Sequence, residues 1–273
     1  MVLYLAELKV RTMFQHTFVI CAYGTSPYLE ACIQSCIDQT SVASKNSKVI
    51  LYTSTPNTLI DQLAKKYQID VFTNNGGGIG HDWNQALSFV TTKYATIAHQ
   101  DDIYLPTYGT EVIKSFNHSE ETNIVFTDYS ENDAQDHLRP RNINLKIKHF
   151  GLSLMSLFQA KWYQKRIYAL GNFISCPAVS YNMERLSDFK FDEGLKMVVD
   201  WDAWERIMAR PGNVTYVKQR LMYHRIHDAS ETTVNTLDKN RETEEFIMYQ
   251  RYWPTVIAKL LMRFYVNNQK GNQ

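Results

Sequence analysis

HTFVICAYGTSPYLEACIQSCIDQT, residues 16–40, is the stretch that decides the fold. From His16 to Tyr23 it is an almost unbroken apolar run that stops at Gly24, the way a strand buried on both faces of a parallel sheet is written. Ser26 is a good helix N-cap and Pro27 suits a first helical position. Leu29, Cys32, Ile33, Cys36 and Ile37 then recur at i, i+3, i+4, i+7 and i+8. The spacing predicts a strand followed at once by a helix that ends near Thr40.

The same unit repeats outward. Lys48 to Tyr52 reads as a second strand, Thr53 to Asn57 as a polar turn, and Leu59 to Tyr67 as a second helix. Ile69 to Phe72 is a short third strand. NNGGGIG and a helix carrying Trp83, Leu87 and Val90 follow, then a fourth strand, Tyr94 to Ala98. Strand and helix alternating at this interval predict a mostly parallel, helix-covered sheet. Ile124 to Tyr129, Pro177 to Tyr181 and Val214 to Val217 extend it. Asp200 to Ala209 reads as an amphipathic helix stopped by Pro211 and Gly212. The tail from Arg241 to Val266 has helical spacing interrupted at Pro254, which fits two packed helices or a segment lying on a membrane surface.

Composition narrows the function classes. The chain has 273 residues, 44% hydrophobic and 21% charged, which suits one large α/β domain with a small appendage. No window approaches the roughly 18 apolar residues of a spanning helix. The start, MVLYLAELKVRTMF, contains Glu7, Lys9 and Arg11 and no small-residue cleavage site, so cytoplasmic residence is expected, with the inner face of a cell membrane left open. A net charge of +1 argues against nucleic acid as partner. One stretch, Arg139 to Arg166, is locally basic and holds aromatics. It reads either as a solvated helical surface or as contact with a phosphorylated or membrane-bound acceptor. The four cysteines contain no CxxC pair and read as buried thiols.

Ligands of parallel sheets bind at the carboxyl ends of the strands. There the chain places HQDD, His99 to Asp102, directly after the strand YATIA. Adjacent carboxylates repel unless a cation or hydrogen-bond donors compensate them, so the motif is either a divalent-metal site or a solvated acidic turn. The glycines at 76–78 imply close backbone approach to a ligand or a flexible turn, and no Gly-Lys-Ser/Thr follows to make a P-loop. Taken alone, Asp200 reads as an N-cap, Arg225 as a surface residue and His227 as a hydrogen-bonded one. Trp201, Trp204, Tyr104 and Tyr108 are sugar platforms or core.

Five segments in order resemble the inverting family-2 glycosyltransferases of GT-A fold. Ser35 to Thr40 is similar to the Ser-x-x-x-Gln-Thr end of the family's first helix, Asn75 and Gly77 to its Asn-x-Gly segment, and Asn84 to the Asn on the helix that follows. HQDD stands where the family has its DXD-type motif, VDWDAWERI (199–207) where it has Glu-Asp, and YHRIHDASET (223–232) where it has a late Arg-x-His loop. The resemblance implies an α/β Rossmann-like GT-A domain over residues 1–233, a mostly parallel mixed sheet flanked by helices, with a helical C-terminal extension over 234–273. It implies transfer of a sugar from a nucleotide-diphosphate donor, with UDP expected, to a hydroxyl of a glycan or lipid-linked acceptor in cell-surface polysaccharide synthesis.

The roles follow residue by residue. Asp101, His99 and His227 would hold a divalent cation, Mn2+ or Mg2+, which suits carboxylate and imidazole donors. Ala22, Tyr23, Tyr52, Asn75, Gly77, Asn84, Gln100 and Arg225 would contact the donor. Asp200 would be the base that deprotonates the acceptor, and Asp102, Trp201 and Trp204 would meet the acceptor. Three positions depart from the family pattern. Tyr52 to Thr55 replaces the Asp-Asp-Gly-Ser run that helps hold the base, which leaves Tyr52 to stack on a uracil or other base or the hydroxyls to hydrogen-bond it, and keeps a donor other than a uridine nucleotide open. His99 replaces the first Asp of DXD, and Val199 replaces the Glu of Glu-Asp. Two other classes compete: a nucleotidyltransferase, against which the first loop AYGTSPY lacks a Gly-rich basic signature, and a non-catalytic sugar-nucleotide or glycan-binding subunit, which the lost base-binding acids would suit.

Overall fold

The apolar run at the start of the motif is β1 (His16–Ala22), buried along nearly its whole length. In the computed structural model, which describes residues 14–158, 160–227 and 239–270, β1 has parallel neighbours on both sides, β2 (Ser47–Thr53) and β4 (Tyr94–His99). β3 (Asp70–Thr73) lies parallel outside β2. The eight-stranded sheet runs β3-β2-β1-β4-β7-β6-β8-β5. β7 (Val179–Asn182) is antiparallel to β4 and to β6 (Thr122–Asn132), while β8 (Asn213–Arg225) is parallel to β6. β5 (Ile103–Tyr104) pairs antiparallel with the end of β8. Strand order therefore reverses between β1 and β4, and this opens a crevice at their carboxyl ends.

The helices are α1 (Leu29–Ile37), α2 (Thr40–Ala43), α3 (Thr58–Tyr67), α4 (Ile79–Ser88), α5 (Tyr108–His118), α6 (Ile143–Met155), α7 (Lys161–Tyr168), α8 (Val199–Ala209), α9 (Lys239–Tyr252) and α10 (Thr255–Lys270). They cover both faces of the sheet. Alternation along β1 sends Phe18 and Ile20 into one core with Leu29, Cys32 and Val112, and Val19 into another with Trp83, Trp201 and Trp204. All four cysteines are free, and burial raises the pKa of Cys176 and of Cys21, so neither is a ready nucleophile.

Two expectations shift in detail. The first helix begins at Leu29 rather than at Pro27, because Ser26 Oγ accepts the Tyr28 N–H (3.2 Å) and caps the turn ahead of it. It also stops at Ile37, two residues before Gln39, which is extended and fully buried. The Gln39 amide donates to the carbonyls of Ser35 (3.0 Å), Tyr104 (3.1 Å) and Leu105 (2.8 Å), and its oxygen accepts the Gly109 N–H (3.0 Å). One side chain thus ties α1 to the segment that follows HQDD. Gln39→Ala strands several buried backbone groups at once and is expected to lower unfolding stability by about 1–3 kcal/mol in a urea titration. An unchanged midpoint would show that water replaces the amide.

The break expected at Pro254 separates α9 from α10. Both helices join the core: Met248, Tyr249 and Ala258 pack with Trp201 and Trp204, and Arg251 meets Asp202 (2.7 Å) and Glu205 (2.9 Å). The Glu244 carboxylate accepts the N–H groups of Lys196 (3.1 Å), Met197 (2.8 Å) and Val198 (3.2 Å), directly ahead of α8. A negative charge at this point also favours the helix dipole. Among the described residues no helix is long and apolar enough to cross a membrane.

Candidate active site

The crevice is floored by the turn that ends β4. His99, Asp101 and Asp102 present donor atoms that all lie within 4.8 Å of one another. Asp102 is fully buried; its Oδ1 accepts the Arg225 N–H (2.9 Å) and lies 3.0 Å from His224 Nδ1, while its Oδ2 has no hydrogen-bond partner. His99 Nε2 is likewise buried without a partner, and the His99 ring stacks on Trp83 at 5.5 Å. Two orphaned buried donor atoms of opposite chemistry, one imidazole and one carboxylate, beside a second carboxylate make a set that suits a hard or borderline divalent cation.

The end of β8 closes on this turn. His227 Nε2 lies 3.1 Å from Asp101 Oδ2, and the His227 ring rests against Tyr28 at 4.7 Å. Burial alone would raise the Asp101 carboxyl, but the bond to His227 and the nearby His99 and His224 bring it below its ordinary value. Burial lowers the pKa of His99, against the pull of Asp102, Asp101 and, more weakly, Asp200. That ordering keeps His99 neutral and able to ligate. It also puts the Asp200 carboxylate within electrostatic reach of the same cluster. Burial works against the charged form of His224, and Asp102 outweighs it, so His224 sits above the usual histidine value.

Asp200 stands in the first turn of α8. Its Oδ2 accepts from Asn172 Nδ2 (2.7 Å) and its Oδ1 from the Trp201 N–H (2.7 Å). Burial raises its pKa, and these two bonds offset the rise only in part. A carboxylate made more basic but kept oriented is suited to take a proton.

Several expected contacts are placed differently. Trp201 and Trp204 are 2% and 0% exposed and lie in the core, so neither offers a ring face to a sugar. Tyr104 and Tyr108 are also core residues. Asp102, expected to meet an acceptor, points inward and belongs with His99 and Asp101. Tyr52 is 1% exposed and packs against Phe89 (6.2 Å), which leaves no face for a base, whereas Tyr23 at the end of β1 is 63% exposed. Gln100 fixes Tyr23 by bonding both its N–H (3.0 Å) and its carbonyl (3.1 Å). Ala22 is buried.

Arg225 is 1% exposed and its guanidinium is engaged: Nε donates to the Asp101 carbonyl (2.9 Å), Nη1 to the Asp133 carbonyl (3.1 Å), Nη2 pairs with Asp136 (2.6 Å), and Tyr28 covers its face. It braces the HQDD turn instead of reaching a diphosphate. Asn84 is spent similarly, donating to the Phe191 carbonyl (3.0 Å) and Glu193 (2.9 Å) and accepting the Phe191 N–H (2.8 Å). Asn75 is exposed at the crevice side of β3. Gly78 adopts φ +99 ahead of α4, and a Cβ on Gly77 would fall 2.8 Å from the His81 ring, so these glycines answer local crowding and turn geometry. Residues 228–232 of the late Arg-x-His loop lie outside the described residues.

Four groups escaped the sequence reading. Asp82 accepts from Tyr52 Oη (3.3 Å) and Ser54 Oγ (2.8 Å), so α4 returns a carboxylate to the end of β2 where the acids are missing. Its only signal was an acid one turn into a helix after a glycine run. His224 alternates with Met222 on β8, and Asn172 and Glu244 carry no motif at all.

Residues 17–183 match the family described as Glycosyl transferase family 2. No curated protein matches. Among solved structures, S. aureus TarS 1-349 in complex with UDP-GlcNAc superposes with a TM-score of 0.64 at 12% identity, covering 93% of this chain and 72% of that one. The mannosyltransferase PcManGT from Pyrobaculum calidifontis, in complex with GDP-Man and Mn2+, gives 0.62 at 11% identity, with 93% and 69% covered. Glucosyl-3-phosphoglycerate synthase from Mycobacterium tuberculosis, in complex with Mn2+ and UDP-glucose, gives 0.57 at 13% identity, with 88% and 80% covered. At such identities the likeness is one of fold.

Proposed function

This chain belongs to glycosyl transferase family 2, and from that premise we propose that it moves a sugar, with inversion, from a nucleotide-diphosphate donor to a hydroxyl of a glycan or lipid-linked acceptor in cell-surface polysaccharide synthesis. The observation that carries this reading is the convergence of His99, Asp101 and Asp102 beneath a crevice whose other carboxylate, Asp200, is separately held and made basic by burial.

His99, Asp101 and Asp102 would hold a divalent cation, with His227 orienting Asp101. Bound there, a cation supplies Lewis-acid neutralisation of the charge that develops on a departing nucleoside diphosphate. The rest falls to the chain. Arg225 and His224 fix the turn that carries the donor atoms. Tyr23 offers an open ring on which a base can stack, and Asp82 an acceptor for a base N–H. Asp200 takes the proton from the acceptor hydroxyl as the new bond to the anomeric carbon forms. Structural neighbours were solved with UDP-GlcNAc and with UDP-glucose, and we take a UDP-sugar as the donor here too.

A thermal-shift screen of UDP, GDP, CDP and their sugars, with and without Mn2+ or Mg2+, tests the reading. Uridine nucleotides should stabilise the protein only with a cation present, and slow hydrolysis of one UDP-sugar should accompany this. No stabilisation by any nucleotide and metal together would sink it.

The same geometry sets a pH dependence. The bond from Asn172 favours the ionised form of Asp200, so Asn172→Ala should raise the Asp200 pKa further. Because the base acts deprotonated, the acid limb of the kcat profile moves to higher pH in the variant. A limb that stays in place would remove Asp200 from the rate-determining proton transfer.

A further inference from the structure

Between His137 and Met183 the chain carries seven Lys or Arg and no Asp or Glu, in a protein of net charge +1. This segment includes α6 and α7. α6 buries Leu145, Leu152 and Met155 and turns Ile143, Ile147 and Phe150 to solvent, at i, i+4 and i+7, with 68%, 45% and 69% of each exposed. Leu157 and Phe158 follow it at 61% and 60%, and Trp162 on α7 is 72% exposed. The Tyr163 hydroxyl donates to the Leu154 carbonyl (2.8 Å), which ties α7 to α6, and its ring meets Phe158 at 5.0 Å and Trp162 at 6.1 Å, so these three rings form one cluster beside the exposed residues of α6. Large exposed apolar groups gathered in this way mark an interaction surface. Lys146 on α6 and Arg166 on α7 are exposed among them.

We propose that the α6–α7 surface docks the protein on an anionic phospholipid bilayer, with the Phe150, Phe158 and Trp162 rings entering the headgroup boundary and the cations meeting lipid phosphates. An amphipathic face rimmed by Lys and Arg, with Trp at its level, has the chemistry of an interfacial helix pair. Charge selects this occupant over a second copy of the chain, because pairing the patch with itself sets cations against the same cations. The Trp253 indole donates to the Ala169 carbonyl (2.8 Å) and brings the start of α10, with Val256 81% exposed, to the end of α7. α7 leads into Asn172, which holds Asp200, so a docked protein presents that side of the crevice to the bilayer. The proposal stands independently of which donor is used.

Sedimentation with vesicles of phosphatidylcholine alone, or with about one-third phosphatidylglycerol, tests it at low salt. The protein should pellet with the anionic vesicles only. Phe150→Ser with Trp162→Ser, and separately Lys146→Gln with Arg166→Gln, should each lower partitioning by at least about 30-fold. Trp162 is 72% exposed, whereas Trp83, Trp201 and Trp204 are buried and Trp253 is partly buried with its indole N–H held by the Ala169 carbonyl. Binding should therefore blue-shift fluorescence in the parent chain, and Trp162→Phe, compared in a Trp253→Phe background, should bind while losing the shift. Melting curves check that the variants fold; if the apolar pair melts early, the charge pair carries the test. Hydrolysis of a soluble UDP-sugar should be unchanged in all three, so a parent chain that docks without hydrolysing counts against sugar transfer alone. Absence of pelleting, unchanged partitioning in the charge pair, a blue shift that survives Trp162→Phe, or a dimer that the apolar pair dissolves would each overturn the proposal.

Discussion

Asp101→Ala is expected to abolish cation-dependent turnover, with a fall of about 10³-fold or more in hydrolysis of the donor. Asp101 is the partly exposed carboxylate of the three-residue cluster and the one that His227 orients. The same variant should lose the stabilisation that Mn2+ confers in the presence of nucleotide. Asp101→Asn keeps the side-chain shape and an oxygen to face His227, and so separates loss of the charge from loss of packing. Turnover that persists without added metal in either variant would refute the assignment.

Asp200→Asn is expected to lower transfer by about 10²–10⁴-fold while leaving nucleotide affinity intact. The carboxylate is set apart from the HQDD cluster, on α8, and its two protein contacts are donors that orient it. Removing its charge therefore breaks no hydrogen bond within the donor-atom cluster. Thermal shift with nucleotide and metal reports donor affinity, and transfer to an acceptor reports chemistry. A parallel loss of both would mean that Asp200 shapes the fold of the crevice instead of acting on the acceptor.

The four parallel strands were legible because each is a short apolar run closed by a turn and followed by an i, i+3, i+4 pattern. β5 was not, since two residues at a sheet edge carry no periodicity. Most of β8 was missed because its solvent-side positions are charged or polar and mask the alternation. At the site, motif order singled out His99 and Asp101, which the fold gathers with Asp102 and His227, yet it gave Arg225 and Asn84 the task of touching ligand. Their burial explains the difference: both satisfy backbone groups of loops that no local pattern reveals. Trp201 and Trp204 follow the same logic in reverse, because an aromatic next to a candidate catalytic carboxylate is read as a platform until its solvent exposure is known.

The carboxylate of Glu244 has a consequence for how such a protein can be cut and recombined. Three amides ahead of α8 are satisfied from a helix that begins only after the last strand, so the turn that leads into Asp200 depends on a residue 46 to 48 positions downstream. Chimeras that splice a foreign tail after residue 232, or minimal versions that end there, would keep every motif and still leave that turn without its anchor.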